Sequence, residues 1–172
     1  MERMISSLFS YSQLAYRSVG WSRFPLRDAV SEAWKNLAMQ AEETAAEISG
    51  NVDLTVSADF NLMIQLLQNL FANAIKYRRK EVPPRIQVSA VLRNEEIEIA
   101  VADNGIGIDP KHAEVVFDVF ERLHSDEHRY DGAGIGLALC RRIAQSHGGS
   151  IAIDTNFRPG TRFIIRLPAK AV

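Results

Sequence analysis

Apolar residues along this chain follow two rhythms: a three-to-four-residue period typical of amphipathic helices, and a two-residue alternation typical of half-buried strands. Met4, Leu8, Tyr11 and Ala15 recur at helical spacing, which predicts a helix over 1–19 that Gly20 ends. Val30, Trp34, Leu37 and Ala41 set a second helix over 26–48, with Phe24-Pro25 as an extended link into it and Gly50 as its stop. Asp53 to Ala58 alternates and reads as a short strand. Asp59 then stands where an N-cap belongs, ahead of a helix over 60–79. That helix carries Leu62, Leu66, Leu70 and Ala74 on one line, with Ile64, Leu67, Phe71 and Ile75 beside it, dense enough for a well-buried element. Pro83-Pro84 prevents its continuation. Ile86, Val88, Ala90 and Leu92, then Ile97, Ile99 and Val101, alternate with period two on either side of Asn94-Glu95, the pattern of an antiparallel hairpin. Residues 103–134 hold no sustained period. A helix over 135–147, ending at Gly148-Gly149, and strands at about 150–155 and 162–167 around Pro159-Gly160 follow. The order predicts an α/β domain with helices layered on one face of a mixed sheet.

Composition narrows the function classes. Twenty Lys plus Arg against 21 Asp plus Glu leave a formal charge of −1 over 172 residues, which gives no electrostatic case for a nucleic-acid partner. The single cysteine, Cys140, excludes an internal disulfide and suits a reducing compartment; its apolar neighbours read as core. No apolar run reaches the ~20 residues of a membrane span, and the N-terminus lacks a signal-peptide pattern. The expectation is a soluble, cytoplasmic segment without membrane contact.

Half of the ten glycines sit in two short runs. Asp103-Asn104-Gly105-Ile106-Gly107-Ile108 follows a predicted strand, and Gly132-Ala133-Gly134-Ile135-Gly136-Leu137 precedes a predicted helix. Such loops permit close backbone approach, and a helix N-terminus offers free N–H groups to a phosphate. Either run alone also reads as a tight turn. Neither is a P-loop, and the Gly-x-Gly-x-Gly spacing is not a dinucleotide fingerprint. The helix over 60–79 adds Asn69, Asn73, Lys76 and Tyr77, three or four residues apart and so on one face. Amides on an otherwise apolar helix are costly to bury without partners; Asn oxygen can ligate Mg²⁺ and Lys can meet a phosphate. The bland alternative is a pair of amides satisfied by nearby backbone beside a solvated lysine.

Taken together, Asn69 to Tyr77, Asp103 to Gly107, Phe117-Asp118-Val119-Phe120, Gly132 to Leu137, and Gly160-Thr161-Arg162-Phe163 resemble the catalytic, ATP-binding domain of sensor histidine kinases. The boxes come in the family's order and cover about 25–168. Phe120-Glu121-Arg122-Leu123-His124 looks most like the phytochrome-type kinases. The resemblance implies the Bergerat ATP-binding fold of the GHKL superfamily, a mixed, mostly antiparallel sheet against three helices, over 25–172. It also implies ATP and Mg²⁺ as cofactors, and a lid at about 117–134. By motif, Asp103 would accept from the adenine amino group, Gly105, Gly107 and Ile108 would approach the base, and Thr161 would help close its pocket. Asn73 would hold Mg²⁺ with Asn69 beside it, and Lys76 and Tyr77 would meet phosphate and ribose. Gly132, Gly134, Gly136 and Leu137 would wrap the phosphates. Arg122 would either reach the γ-phosphate or remain a solvated lid charge. Phe117 and Phe120 would anchor the lid.

Residue 69 bears on the reaction. The related gyrase and chaperone ATPases usually carry a glutamate there, whereas the Asn69 amide cannot act as a general base at neutral pH. This favours transfer to a protein nucleophile over rapid hydrolysis. The histidines His112, His124, His128 and His147 read as solvated loop residues, none an acceptor. Residues 1–20 resemble the end of the second helix of a dimerisation hairpin, so the acceptor histidine is expected on a dimerisation domain ahead of Met1 or on another chain. Expected partners are that domain, a response-regulator receiver domain and, for a longer protein, a second copy in a homodimer. Rival readings are a degenerate nucleotide- or partner-binding module and a GHKL-type ATPase.

Overall fold

The computed structural model describes residues 12, 18–120 and 134–169. The helix expected over 1–19 lies almost wholly outside them, as do Arg122, Gly132, His124 and His128. The main sheet has five strands in the spatial order β2 (Glu47–Asn51), β4 (Arg85–Arg93), β5 (Glu96–Asp103), β7 (Arg162–Pro168), β6 (Ser150–Ile153). Only β2 and β4 run parallel; the other pairs are antiparallel. A separate ribbon pairs β1 (Trp21–Pro25) with β3 (Thr55–Asp59).

Alternation decides which face of the sheet is covered. Ile86 and Val88 of β4, Ile97, Ile99 and Val101 of β5, and Phe163, Ile165 and Leu167 of β7 are all buried, while Arg85, Gln87 and Ser89 between them are exposed. The buried face packs against α1 (Leu26–Lys35), α3 (Phe60–Lys76) and α4 (Gly136–Ser146). Helix α3 is the central member: Met63, Leu66, Leu67, Leu70 and Phe71 are essentially inaccessible. Cys140 of α4 is equally buried, its thiol 3.6 Å from the Leu66 carbonyl, and burial pushes that thiol's pKa well up. It is core, as its neighbours predict.

Asp59 caps α3 as expected, its Oδ1 accepting from Leu62 N–H at 3.1 Å, while Oδ2 accepts from Gly20 N–H at 3.0 Å. One 3%-exposed carboxylate thus ties the chain entering β1 to the start of α3. Asp59→Ala leaves two such donors unmatched, so a loss of about 2–3 kcal/mol is expected in chemical denaturation. Early amide exchange at Gly20 should accompany it. A loss below about 0.5 kcal/mol would show that water replaces the carboxylate.

The structure corrects three readings. The helix expected over 26–48 stops at Lys35, restarts as a short α2 (Ala38–Thr44), and ends at Ala45 in the left-handed region. Residues 47–51 then form the edge strand β2, because pairing with β4 outweighs the helical preference of the Ala- and Glu-rich run. Gly50 is not a helix stop: at φ +137 it lies so close to β4 that a Cβ would sit 1.7 Å from the Val88 carbonyl oxygen. His147 is no solvated loop residue either, being 1% exposed. Its Nε2 accepts from Asp59 N–H at 2.9 Å, its Nδ1 donates to the Ile143 carbonyl at 2.8 Å, and Trp21 meets the ring edge-on at 5.3 Å. The Asn94-Glu95 turn does form, both residues having positive φ as a type I′ hairpin requires.

Candidate functional site

Strand β5 ends at Asp103, whose side chain follows Ile97, Ile99 and Val101 toward the helical layer. Its Oδ1 accepts from Gly105 N–H at 2.8 Å and from Thr161 N–H at 3.2 Å. Main-chain bonding to Thr161 runs the other way too, with Asp103 N–H donating to the Thr161 carbonyl at 2.8 Å. Oδ2 has no partner among the described residues. Burial pushes the carboxyl pKa up, and the two N–H groups offset this only in part. A half-buried carboxylate with one oxygen anchored and the other open is a strong acceptor for a ligand N–H.

The loop after Asp103 is locked to the end of α3. Ile106 N–H donates to the Tyr77 carbonyl at 3.0 Å, and Arg79 Nε donates to the Gly105 carbonyl at 3.1 Å. A Cβ on Gly105 would lie 2.6 Å from the Tyr77 oxygen, so this glycine is required by the approach of loop to helix. Asn104 pins the same loop to the start of β4, donating to the Pro83 carbonyl and accepting from Arg85 N–H. Sequence reasoning assigned no task to Asn104 or Arg79; an Asn beside a turn glycine signals local bonding but not a bond to a strand 19 residues away. Ile106, Gly107 and Ile108 border a cleft of about 510 Å³ together with Gly160, Arg79 and Arg158.

Along α3, Tyr77, Lys76, Asn73 and Asn69 run from this loop toward α4. At the helical rise of ~1.5 Å per residue, Tyr77 and Asn69 lie about 12 Å apart. The Lys76 ammonium rests 4.8 Å from the Tyr77 ring centroid. Asn69 Nδ2 donates to the Gln65 carbonyl at 3.0 Å, and its Oδ1 faces α4, where a Cβ on Gly136 would come within 3.3 Å. The half-buried Asn73 carboxamide has no hydrogen-bond partner among the described residues. Ile135 gives α4 no side-chain cap, so the first-turn N–H groups are left for a ligand. Gly134, at φ +68, accepts from Phe120 N–H at 3.0 Å.

Asp103, Gly105, Gly107, Ile108 and Thr161 therefore gather at the C-terminal end of α3, and Asn69, Gly136 and Leu137 about midway along it, with Tyr77, Lys76 and Asn73 between. Phe117 is buried against Phe163, with ring centroids 6.3 Å apart, whereas Phe120 is 54% exposed and is no buried anchor. The described residues hold no group of three or more His, Cys, Asp or Glu that could cage a metal. None of the described helices is long and apolar enough to cross a membrane.

The model of the histidine kinase-, DNA gyrase B- and HSP90-like ATPase family matches residues 58–171. Cyanobacterial phytochrome A of Nostoc sp. is 35% identical over 168 residues, 98% of this chain and 22% of that protein. Histidine protein kinase DivJ of Caulobacter vibrioides is 34% identical over 148 residues, 84% of this chain and 24% of that protein. The chain thus spans about a quarter or less of these relatives. The nucleotide-free catalytic domain of histidine kinase ThkA superposes with a TM-score of 0.73 at 25% identity, over 87% of this chain and 95% of that one. Full-length ShkA in complex with AMPPNP superposes with a TM-score of 0.81 at 22% identity, over 98% of this chain and 36% of that one, which speaks to fold. The chain belongs to the histidine kinase-, DNA gyrase B- and HSP90-like ATPase family, as a catalytic ATP-binding domain of the sensor histidine kinase type.

Proposed function

We propose that the domain binds Mg²⁺-ATP along α3 and transfers the γ-phosphoryl group to a histidine on a dimerisation domain, from which a response-regulator aspartate takes it. The observation that carries this reading is the Asp103 carboxylate, held by Gly105 and Thr161 with Oδ2 open. It would accept from the exocyclic amino group of adenine, which selects adenine over 6-oxo purines. The distance from Tyr77 to Asn69 suits a ribose and a phosphate chain running toward the α4 N-terminus. Lys76 would meet phosphate and Tyr77 the ribose. With no acidic cage among the described residues, a divalent ion would enter with the nucleotide, phosphate oxygens supplying most of its ligands and the Asn73 oxygen one more. Such an ion would neutralise the charge of the phosphates.

Asn69 decides between transfer and hydrolysis. Its Nδ2 is spent on the Gln65 carbonyl, and an amide oxygen cannot take a proton from water at neutral pH. Asn69 thus offers no base to a water at this point of the groove, which favours a nucleophile whose lone pair is already free, as in a neutral imidazole. The dimeric arrangement, the response regulator and a cytoplasmic location belong to this same reading. The solved structure of ThkA with the response regulator TrrA describes that partnership for ThkA.

The test mixes the chain with a purified helical hairpin bearing an acceptor histidine and labelled Mg²⁺-ATP. The hairpin should gain acid-labile label, and Asn73→Ala should cut the rate about 100-fold, in line with loss of one electrostatic contact in the transition state. ATP bound without labelling of any hairpin would favour the binding-module reading. Steady phosphate release near one per second without a hairpin would favour the ATPase.

A further inference from the structure

Two arginines follow the end of α3, and they bond in opposite directions. Arg78 Nη1 donates back to the Ile75 carbonyl at 3.0 Å, closing its own helix. Arg79, two residues beyond the α3 C-cap Tyr77, reaches instead to the loop after β5, where its Nε donates to the Gly105 carbonyl at 3.1 Å. The other polar group of that same peptide unit, the Ile106 N–H, donates to the Tyr77 carbonyl at 3.0 Å. One peptide plane is thus held from both edges by residues 77 and 79. Because a peptide unit is rigid and planar, two bonds on opposite edges fix its orientation as well as its position.

Gly105 joins this plane to the one that anchors Asp103: its N–H donates to Asp103 Oδ1 at 2.8 Å, and its carbonyl is the one Arg79 holds. Clearance there is small, since a Cβ on Gly105 would lie 2.6 Å from the Tyr77 oxygen and 2.8 Å from Asp103 Oδ1. A turn of the held plane is therefore passed to the carboxylate and to the direction in which Oδ2 opens. Burial and the N–H groups of Gly105 and Thr161 set the Asp103 carboxyl's pKa, so an effect of Arg79 reaches it through the loop and not as a nearby charge. The Tyr77 half of the grip is main chain and survives any substitution, whereas the Arg79 half is a side chain that can be removed. Arg79 is exposed, which keeps its bond at the modest end of charge-assisted hydrogen bonds.

We propose that Arg79 is a positioning residue for base recognition: through the Gly105–Ile106 peptide it sets the direction of the Asp103 carboxylate that adenine would meet. The proposal rests on the reading of Asp103 as the acceptor of the adenine amino group. The experiment titrates the full chain with adenosine and with inosine by NMR, alongside a thermal melt. Inosine carries a 6-oxo group in place of the amino group, so the ratio of the two affinities reports on the aim of Oδ2 and is untouched by a loss of folded protein. Arg79→Met keeps a stem of the same length and removes the donor; it should lower that ratio about fivefold. Arg79→Gln places an amide N–H as many bonds from Cα as the arginine Nε and carries no charge; it should hold the ratio within about twofold of the unmodified chain. If Arg79→Gln lowers the ratio as far as Arg79→Met, the charge or the Nη groups matter and positioning by this hydrogen bond is wrong. If neither variant moves the ratio while the unmodified chain prefers adenosine, Arg79 has no part in base recognition and the Asp103 reading stands without it. An unmodified chain with no preference for adenosine over inosine would overturn the Asp103 reading, and this inference with it.

Discussion

Asp103→Asn is expected to weaken adenine-nucleotide binding about 100-fold without harming the fold. The two N–H groups of Gly105 and Thr161 converge on one oxygen of residue 103 and force the asparagine to turn its own oxygen toward them. The amide NH₂ then occupies the place of Oδ2 and meets the adenine amino group donor to donor. A lost bond to a charged acceptor plus an unmatched donor amounts to about 3 kcal/mol, or roughly two powers of ten in affinity. The same NH₂ can donate to a 6-oxo group, so inosine triphosphate should gain on ATP in the variant. Melting temperature should hold or rise slightly, because a half-buried charge has been removed. Titration of both nucleotides, with ATP affinity unchanged, would remove Asp103 from base recognition.

The raised pKa of Asp103 gives this site a pH signature with two opposite signs. The folded chain holds the proton more tightly than the unfolded one, so the carboxyl's cost to stability is fully present above its raised value and disappears as pH falls through that value. Ligand binding needs the ionised form and weakens over the same fall. Acid should therefore loosen ATP at a higher pH than an ordinary aspartate would dictate, and Asp103→Asn should remove that part of the pH dependence.

How much of this is legible in the sequence depends on the range of the interaction. Helix α3 and its Asp59 cap need only neighbours three or four residues away, and the β4–β5 hairpin needs only its turn. Both are readable for that reason. Strand β2 is not, since what makes residues 47–51 extended is a parallel partner nearly 40 residues on, against a local composition that favours helix. The burial of His147 likewise depends on Asp59, 88 residues earlier, while Ser146-His147-Gly148-Gly149 on its own looks like the frayed end of a helix. At the site, the glycine runs and the amide face of α3 are visible as residue types. Which neighbour each glycine meets is not: Gly105 is demanded by the Tyr77 carbonyl, whereas a Cβ on Gly136 would only press on the Asn69 side chain at 3.3 Å. Arg79 carries no local signal at all, because a basic residue just past a helix usually meets that helix's last carbonyls or solvent.

Alanine at position 160 is expected to disable the same pocket by shape instead of chemistry. Gly160 holds φ +91, and a Cβ there would lie 1.8 Å from the Asp103 carbonyl oxygen and 2.7 Å from its carbonyl carbon. These are main-chain atoms, so no rotamer change relieves the overlap. Either the end of β5 or the loop before β7 must move, and both directions of the Asp103–Thr161 bonding stretch with it. Left-handed strain and weakened hydrogen bonds together cost about 3 kcal/mol or more. For a chain of this size that is a fall in melting temperature of roughly 6–12 °C. Nucleotide affinity should fall alongside, because Oδ1 loses the Thr161 N–H that orients the carboxylate. Gly107→Ala is the internal comparison: at φ +79 its Cβ would come nearest to the Gly160 carbonyl oxygen, at 3.1 Å, a contact that a small shift relieves. Its melting temperature should fall by less than half as much. Equal falls for the two would mean that left-handed strain, common to both, dominates and that contact with β5 adds nothing. A larger fall at 160, with ATP affinity lost in step, would make this glycine the wall against which Asp103 is aimed.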